Sequence, residues 1–191
     1  MKLIKGKDAI FETDNYDVIL IGTSIYDILT HGFQGKVAIK YPHVAEANHK
    51  QPYGDSRRLG KRVTVEKEGC PTISLLYICR YPKKGLKSLD YDALKHCLET
   101  SAAEFKNKRI ITTIMGASDF DGEGDRAKIL RWMRKYFKDM DVDVYDYPQI
   151  KVIKELNETS KKLKSMGVDK RSKRREILER LFLMPKNGEK Q

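Results

Sequence analysis

Apolar and polar positions follow two different periods along this chain. Apolar, β-branched runs at residues 16–21 (YDVILI), 72–79 and 110–115 read as strands buried on both faces. Residues 61–66 and 141–147 alternate, with one apolar face, and read as further strands. Helical spacing takes over at 89–105, where Leu94, Cys97, Leu98, Ala102 and Phe105 share a face and Asp90 or Ser88 can cap the start. It returns from Asp125, through Ile129, Leu130, Met133 and Phe137. Residues 25–29 predict one helical turn. A loop holding Gly32 and Gly35 opens a helix that carries Val37, Ala38 and Tyr41 and ends at Pro42. Residues 43–59 read mainly as loop, with a turn of helix near 44–48. The first residues contain two weak apolar segments, Leu3-Ile4 and Ala9–Phe11.

Strands and helices in this mixed order predict an α/β fold with three α/β/α layers and a mixed sheet. Pro148 is the expected boundary: residues 1–147 form the α/β domain and 148–191 a basic helical extension. In the extension, Ile150, Ile153, Leu156, Leu163 and Met166 mark one helix, and Ile177, Leu178, Leu181 and Phe182 a second after Gly167. Of the net charge of +11, residues 151–191 carry +7, from 13 Lys/Arg against 6 Asp/Glu. Lys170, Arg171, Lys173, Arg174 and Arg175 suit a nucleic-acid backbone or a solvated helical face. Aromatic residues are sparse there, so stacking on single strands has little support. The three cysteines show no CxxC spacing and fit a reduced, cytoplasmic compartment. No apolar run is long enough for a bilayer, so no membrane partner is expected.

The chemistry concentrates in IITTIMGASDFDGEGDRAKIL, residues 110–130. A strand, a loop with Gly116, Gly122 and Gly124, and a helix follow one another. That order places backbone N–H groups and a helix N-terminus at the carboxyl end of a strand, where open α/β sheets bind phosphorylated ligands. Ser118, Asp119, Asp121, Glu123 and Asp125 would repel phosphate but suit sugar hydroxyls, or a general base acting on water. The same sequence also serves as a plain strand-to-helix turn with a capping acid. A calcium loop fails because Leu130 stands where a bidentate Glu is required. No Gly-Lys-Ser/Thr follows, so this is no Walker loop. His43, His49 and His96 match no zinc spacing, and no metal or cofactor is expected. Cys79 has no assignable base and reads as a core residue.

Several segments together resemble the macrodomain family. They are Ile4-Lys5-Gly6-Lys7-Asp8, YDVILIGTS, GFQGKVAIKYP, LGKRVTV, LLYICRY, LDYDALKHCLE, IMGASDFDG and DVDVYDY. The similarity is greatest to the branch of terminal ADP-ribose protein glycohydrolases, and extends to small macrodomain-like proteins of phage genomes. It covers about residues 3–147. The resemblance implies a three-layer mixed-sheet fold and a cleft for ADP-ribose. It implies that Asp8 meets the adenine amino group, with Gly22 and Thr23 also lining the ligand. One loop, Gly32, Phe33, Gln34 and Gly35, would lie beside the distal ribose and diphosphate. A second would comprise Gly116, Ala117, Ser118, Phe120 and Gly122. The branch's nucleophilic lysine falls here on Arg80, which stays protonated and is a poor nucleophile, but can hold a phosphate. The branch's catalytic aspartate falls on Asp121 or Asp119, with Asp121 the better fit, as a base activating water on an ADP-ribosyl bond or a 1''-phosphate. A non-catalytic ADP-ribose-binding module and a nucleic-acid-binding protein acting through the tail are the alternatives.

Overall fold

β-Branched and aliphatic runs become strands here, and helical stripes become the covering layers. In the computed structural model the order is β1 (Lys2–Lys5), β2 (Val18–Ser24), α1 (Gly32–Lys40), α2 (Pro42–His49), β3 (Arg62–Val65), β4 (Thr72–Cys79), α3 (Tyr91–Glu104), β5 (Ile110–Thr113), α4 (Arg126–Tyr136) and β6 (Val142–Asp146). The structure describes residues 1–26, 29, 32–80, 87–118 and 122–146. The helices and cationic cluster expected beyond Pro148 lie outside these residues. No helix among the described residues is long and apolar enough to cross a membrane.

The strands form one six-stranded sheet in the order β1-β6-β5-β2-β4-β3. All neighbours are parallel except β3, which runs antiparallel to β4 at one edge. Side chains alternate across the sheet. Val18 and Leu20 of β2, Leu76 and Ile78 of β4, and Val142 and Val144 of β6 pack with Leu94, Leu98, Ile129 and Met133 of α3 and α4. Ile19 and Ile21, Leu75 and Tyr77, and Tyr145 pack the other way, with Val37 of α1, Tyr41 that links it to α2, and Val44 of α2. Two cores on two faces give the three α/β/α layers expected.

Four local expectations are corrected. β2 does not stop at Ile21 but runs on through Gly22, Thr23 and Ser24. Gly22 is there for close packing: a Cβ would come within 2.7 Å of Ile78 and 2.8 Å of Met115. The loop expected at 32–35 is instead the first turn of α1, where burial of Gln34, Gly35, Lys36 and Val37 outweighs the poor helix propensity of glycine. Residues 25, 26 and 29 are not helical. The turn expected at 44–48 is a full helix, α2, with Pro42 opening it rather than only closing α1, as proline at a first helical position does. β1 gave little sequence signal because it is a four-residue edge strand, half-buried at Leu3 and Ile4.

Candidate functional site

The parallel strands β1, β6, β5, β2 and β4 all point their carboxyl ends the same way. Their exits differ at one place. After β2 the chain turns to the face covered by α1 and α2. After β5, its neighbour, it turns to the face covered by α3 and α4. Neighbouring strands whose connections leave on opposite faces open a crevice at their carboxyl ends, where α/β sheets bind ligands. A β-bulge at Thr23/Ser24 marks the β2 side of it.

The β5 side is a tight loop. The Gly124 N–H donates to Gly116 O at 2.8 Å, and the Glu123 N–H donates to Ser118 O at 3.0 Å, closing the loop at its neck. Gly116 (φ 75°) and Gly122 (φ 122°) hold left-handed backbone that only glycine adopts at little cost. Glu123, at φ 52°, is the one non-glycine residue in that region among those described. The Gly122 carbonyl accepts from the N–H groups of Ser88 and Leu89, at 3.0 and 3.2 Å. The loop is thereby fastened to the segment that follows β4. Asp119, Phe120 and Asp121, expected to carry ligand contact and general-base chemistry, lie outside the described residues.

Arg80 follows β4 and is about half exposed. Its Nη2 donates to Asp90 Oδ2 at 2.9 Å. Asp90 in turn caps α3, accepting from the Ala93 N–H at 3.0 Å. Burial works against the Asp90 carboxylate, but the Ala93 N–H and the Arg80 guanidinium outweigh it and hold its pKa below the usual value. Removing this cap with Asp90→Ala is expected to cost about 1 kcal/mol of stability at pH 7 in urea unfolding. A carboxylate of depressed folded pKa contributes stability above its unfolded pKa and loses it as pH falls through the folded value. The gap between variant and wild type should therefore close as pH drops below about 4.

On the β2 side, α1 presents its N-terminus to the same end of the sheet, with no acidic residue in its first turn. The N-terminus of α4 is already capped by Asp125, which accepts from the Lys128 N–H at 2.9 Å. The α1 end is thus the better-placed of the two for an anion. Thr23 is fully buried and Gln34 is 8% exposed, yet Thr23 Oγ1 and Gln34 Oε1 have no hydrogen-bond partner among the described residues. Ser118 Oγ, on the β5 loop, is in the same condition. Buried polar atoms are nearly always paired in folded proteins. Of the other residues expected on this side, Gly32 starts α1 with φ 55° and Phe33 is half-buried. Ala117 is half-buried beside Gly116.

Asp8 follows β1 at the same end of the sheet. It accepts from the Ile10 N–H at 3.3 Å, and its other oxygen pairs with Lys36 of α1. Sequence reasoning missed Lys36. Its signal was a lysine between Gly35 and Val37, inside an apolar stripe, four residues before Lys40. Lys40 makes a matching pair with Asp14 at 2.6 Å. It also missed Arg58, which lies in the polar stretch 43–59 that has no period to read.

Burial pushes the Cys97 thiol up to about 12, and Cys79 lies in the core as expected. Among the described residues, no group of His, Cys, Asp and Glu is arranged to hold a metal. A concavity of about 390 Å³ lined by Asp14, Tyr16, Asp17, Cys70, Thr72 and Lys108 lies at the amino ends of the strands, away from this crevice.

No family model matches the chain, and no curated protein is similar to it in sequence. Solved structures are similar in fold. A protein of Bacteroides thetaiotaomicron superposes with a TM-score of 0.63 at 19% identity, over 76% of this chain and 99% of that one. The macrodomain of Mycobacterium tuberculosis DarG gives 0.60 at 15% identity, over 76% and 98%. Thermosipho africanus DarTG, solved in complex with ADP-ribose, gives 0.60 at 13% identity, over 78% of this chain and 44% of that one. With its mixed six-stranded sheet between two helical layers, this chain has the macrodomain fold.

Proposed function

We propose that the crevice between β2 and β5 binds ADP-ribose or an ADP-ribosyl group. The observation that carries this reading is that three buried polar atoms with no partner among the described residues, Thr23 Oγ1, Gln34 Oε1 and Ser118 Oγ, lie on the segments that flank one switch point. A ligand rich in hydroxyls and phosphate oxygens supplies partners for all three. Support comes from the fold of DarTG, which was solved with ADP-ribose, and of a Trypanosoma brucei macrodomain solved with ADP, at a TM-score of 0.52 and 13% identity, over 77% of this chain and 63% of that one. Asp8 then reads the adenine amino group, and the Gly32 and Gly116 segments flank the ribose and diphosphate.

Hydrolysis is the second part of the proposal, with Asp121 or Asp119 activating water against an ADP-ribosyl ester or a 1''-phosphate. Arg80 keeps its proton and cannot attack the anomeric carbon. Its place in this scheme is to hold a phosphate or carbonyl oxygen, released from Asp90 for the purpose. A binding module without turnover is the simpler form of the same reading. Incubation with ADP-ribose 1''-phosphate and an ADP-ribosylated glutamate peptide separates the two.

Calorimetry with ADP-ribose tests binding, with dissociation in the micromolar range expected. Thr23→Val sharpens the test. An orphan hydroxyl replaced by an isosteric methyl should leave the unliganded protein as stable or slightly more so. The same change should weaken ADP-ribose by about three- to tenfold, the worth of about one hydrogen bond. Lower stability of the unliganded variant, with affinity unchanged, would mean that Thr23 serves the fold alone.

A further inference from the structure

Arg58 is 5% exposed, and among the described residues no carboxylate pairs with it. Its Nη1 donates to the carbonyls of Ile25 and Pro52, both at 2.8 Å, and its Nη2 to Asn48 Oδ1 at 3.3 Å. Its Nε has no hydrogen-bond partner among the described residues. The guanidinium lies over the Tyr77 ring, 3.8 Å from the centroid, and the Tyr77 hydroxyl donates to the same Asn48 oxygen at 2.8 Å. Among the described residues no ion pair engages it, and its partners are neutral dipoles and a π face. Buried charges in proteins are ordinarily paired with an opposite charge, because desolvation is costly. Here the cage orients the cation without neutralising it.

The location gives the charge a use. Ile25 directly follows Ser24, the last residue of β2, and its N–H donates to Cys79 O at the end of β4. Its carbonyl also accepts from the Gly54 N–H at 3.0 Å. The cation is therefore anchored at the carboxyl end of β2 and β4, on the side of the sheet where α1 directs its N-terminus. There it is held by its hydrogen bonds and shielded from solvent.

Resting on the binding reading above, we propose that Arg58 is the counter-charge for the ligand's diphosphate, acting through the β2 end without touching the ligand, and that it makes the crevice select ligands by negative charge. It is a positioning and specificity residue rather than a catalytic one. Two unit charges about 10 Å apart at an effective dielectric of about 20 alter each other's binding by about tenfold, which sets the size of effect to look for. Because the cation is buried, salt screens this preference far less than it would screen one made by exposed Arg80. The ligand class that follows is a nucleoside diphosphate derivative, in preference to a nucleoside or a monophosphate.

The test is a charge series (adenosine, AMP and ADP-ribose) titrated calorimetrically into the full chain at about 0.05 and 0.5 M salt. In the wild type, ADP-ribose should exceed adenosine in affinity by at least tenfold, and the ratio should survive high salt to within about threefold. Arg58→Gln should lower ADP-ribose affinity by about tenfold or more and leave adenosine unchanged. Arg58→Lys, which keeps the charge and loses the fork, should retain the ratio at reduced stability. Equal loss of adenosine and ADP-ribose in Arg58→Gln would make the residue a structural staple and overturn the inference. So would a wild-type ratio that collapses with salt, a result that needs no variant to fold. ADP-ribose affinity that Arg58→Gln leaves intact would overturn it while sparing the binding reading. A wild type that binds none of the three removes both.

Discussion

Gly124→Val is expected to weaken ADP-ribose binding by up to about a hundredfold while the domain still unfolds cooperatively. At Gly124 a side chain has nowhere to go. A Cβ would overlap the Leu89 side chain and stand 2.9 Å from both Gly116 O and Ile129 Cδ1. One of these is backbone, and it is the carbonyl that the Gly124 N–H itself engages to close the loop. Overpacking of this kind costs about 1–3 kcal/mol, and the loop relieves it by swinging its neck open. A ligand that needs the closed loop must then supply that free energy, which is up to about a hundredfold in affinity. Gly124→Ala should fall between the two. Calorimetry for affinity and urea unfolding for stability are the measurements. A folded valine variant that binds ADP-ribose as tightly as the wild type would show that the loop after β5 is not part of the site.

The same loop illustrates what a sequence discloses. Its glycines announce a strand-to-helix turn, and the turn is where it was expected. The reason for Gly124, however, is the Leu89 side chain at the start of the α3 region, thirty-five positions away. Contacts across that distance leave no local pattern. The strands were legible because two-sided burial imposes long apolar runs: β4 spans Thr72–Cys79, the residues read as a strand from sequence. α3 and α4 were legible from their apolar stripes, and residue type left Asp90 or Ser88 to cap the first and an unnamed acid the second, where Asp90 and Asp125 do so. Gly22 was expected at the ligand from the resemblance, but the close approach of Ile78 and Met115 to it left no mark in the local sequence. α1 was misread at its start because glycine signals a loop locally, while the burial of Gln34 and Lys36 is a tertiary matter. Lys36 and Arg58 show the general limit. A buried cation looks like any surface lysine or arginine until its partners, or their absence, are known.

Lys36 carries the other large expected effect. Its side chain is 8% exposed and that of Asp8 13%, so the pair lies largely out of water. Lys36→Met removes the cation and leaves the Asp8 carboxylate with the Ile10 N–H as its hydrogen-bond donor. Stranding one half of a buried pair typically costs 3–5 kcal/mol, and the partial exposure of Asp8 places this case near about 3. Asp8→Asn combined with Lys36→Met strands nothing, so the double variant should recover most of the loss, giving a coupling of about 2 kcal/mol in a double-mutant cycle. ADP-ribose affinity should behave differently. If the Asp8 carboxylate reads the adenine amino group, the double variant regains stability and does not regain binding. Additive stability losses would show that the two side chains do not depend on each other. Restored affinity in the double variant would relocate the adenine contact away from Asp8, and the divergence of the two readouts is what separates a structural ion pair from one that also serves the ligand.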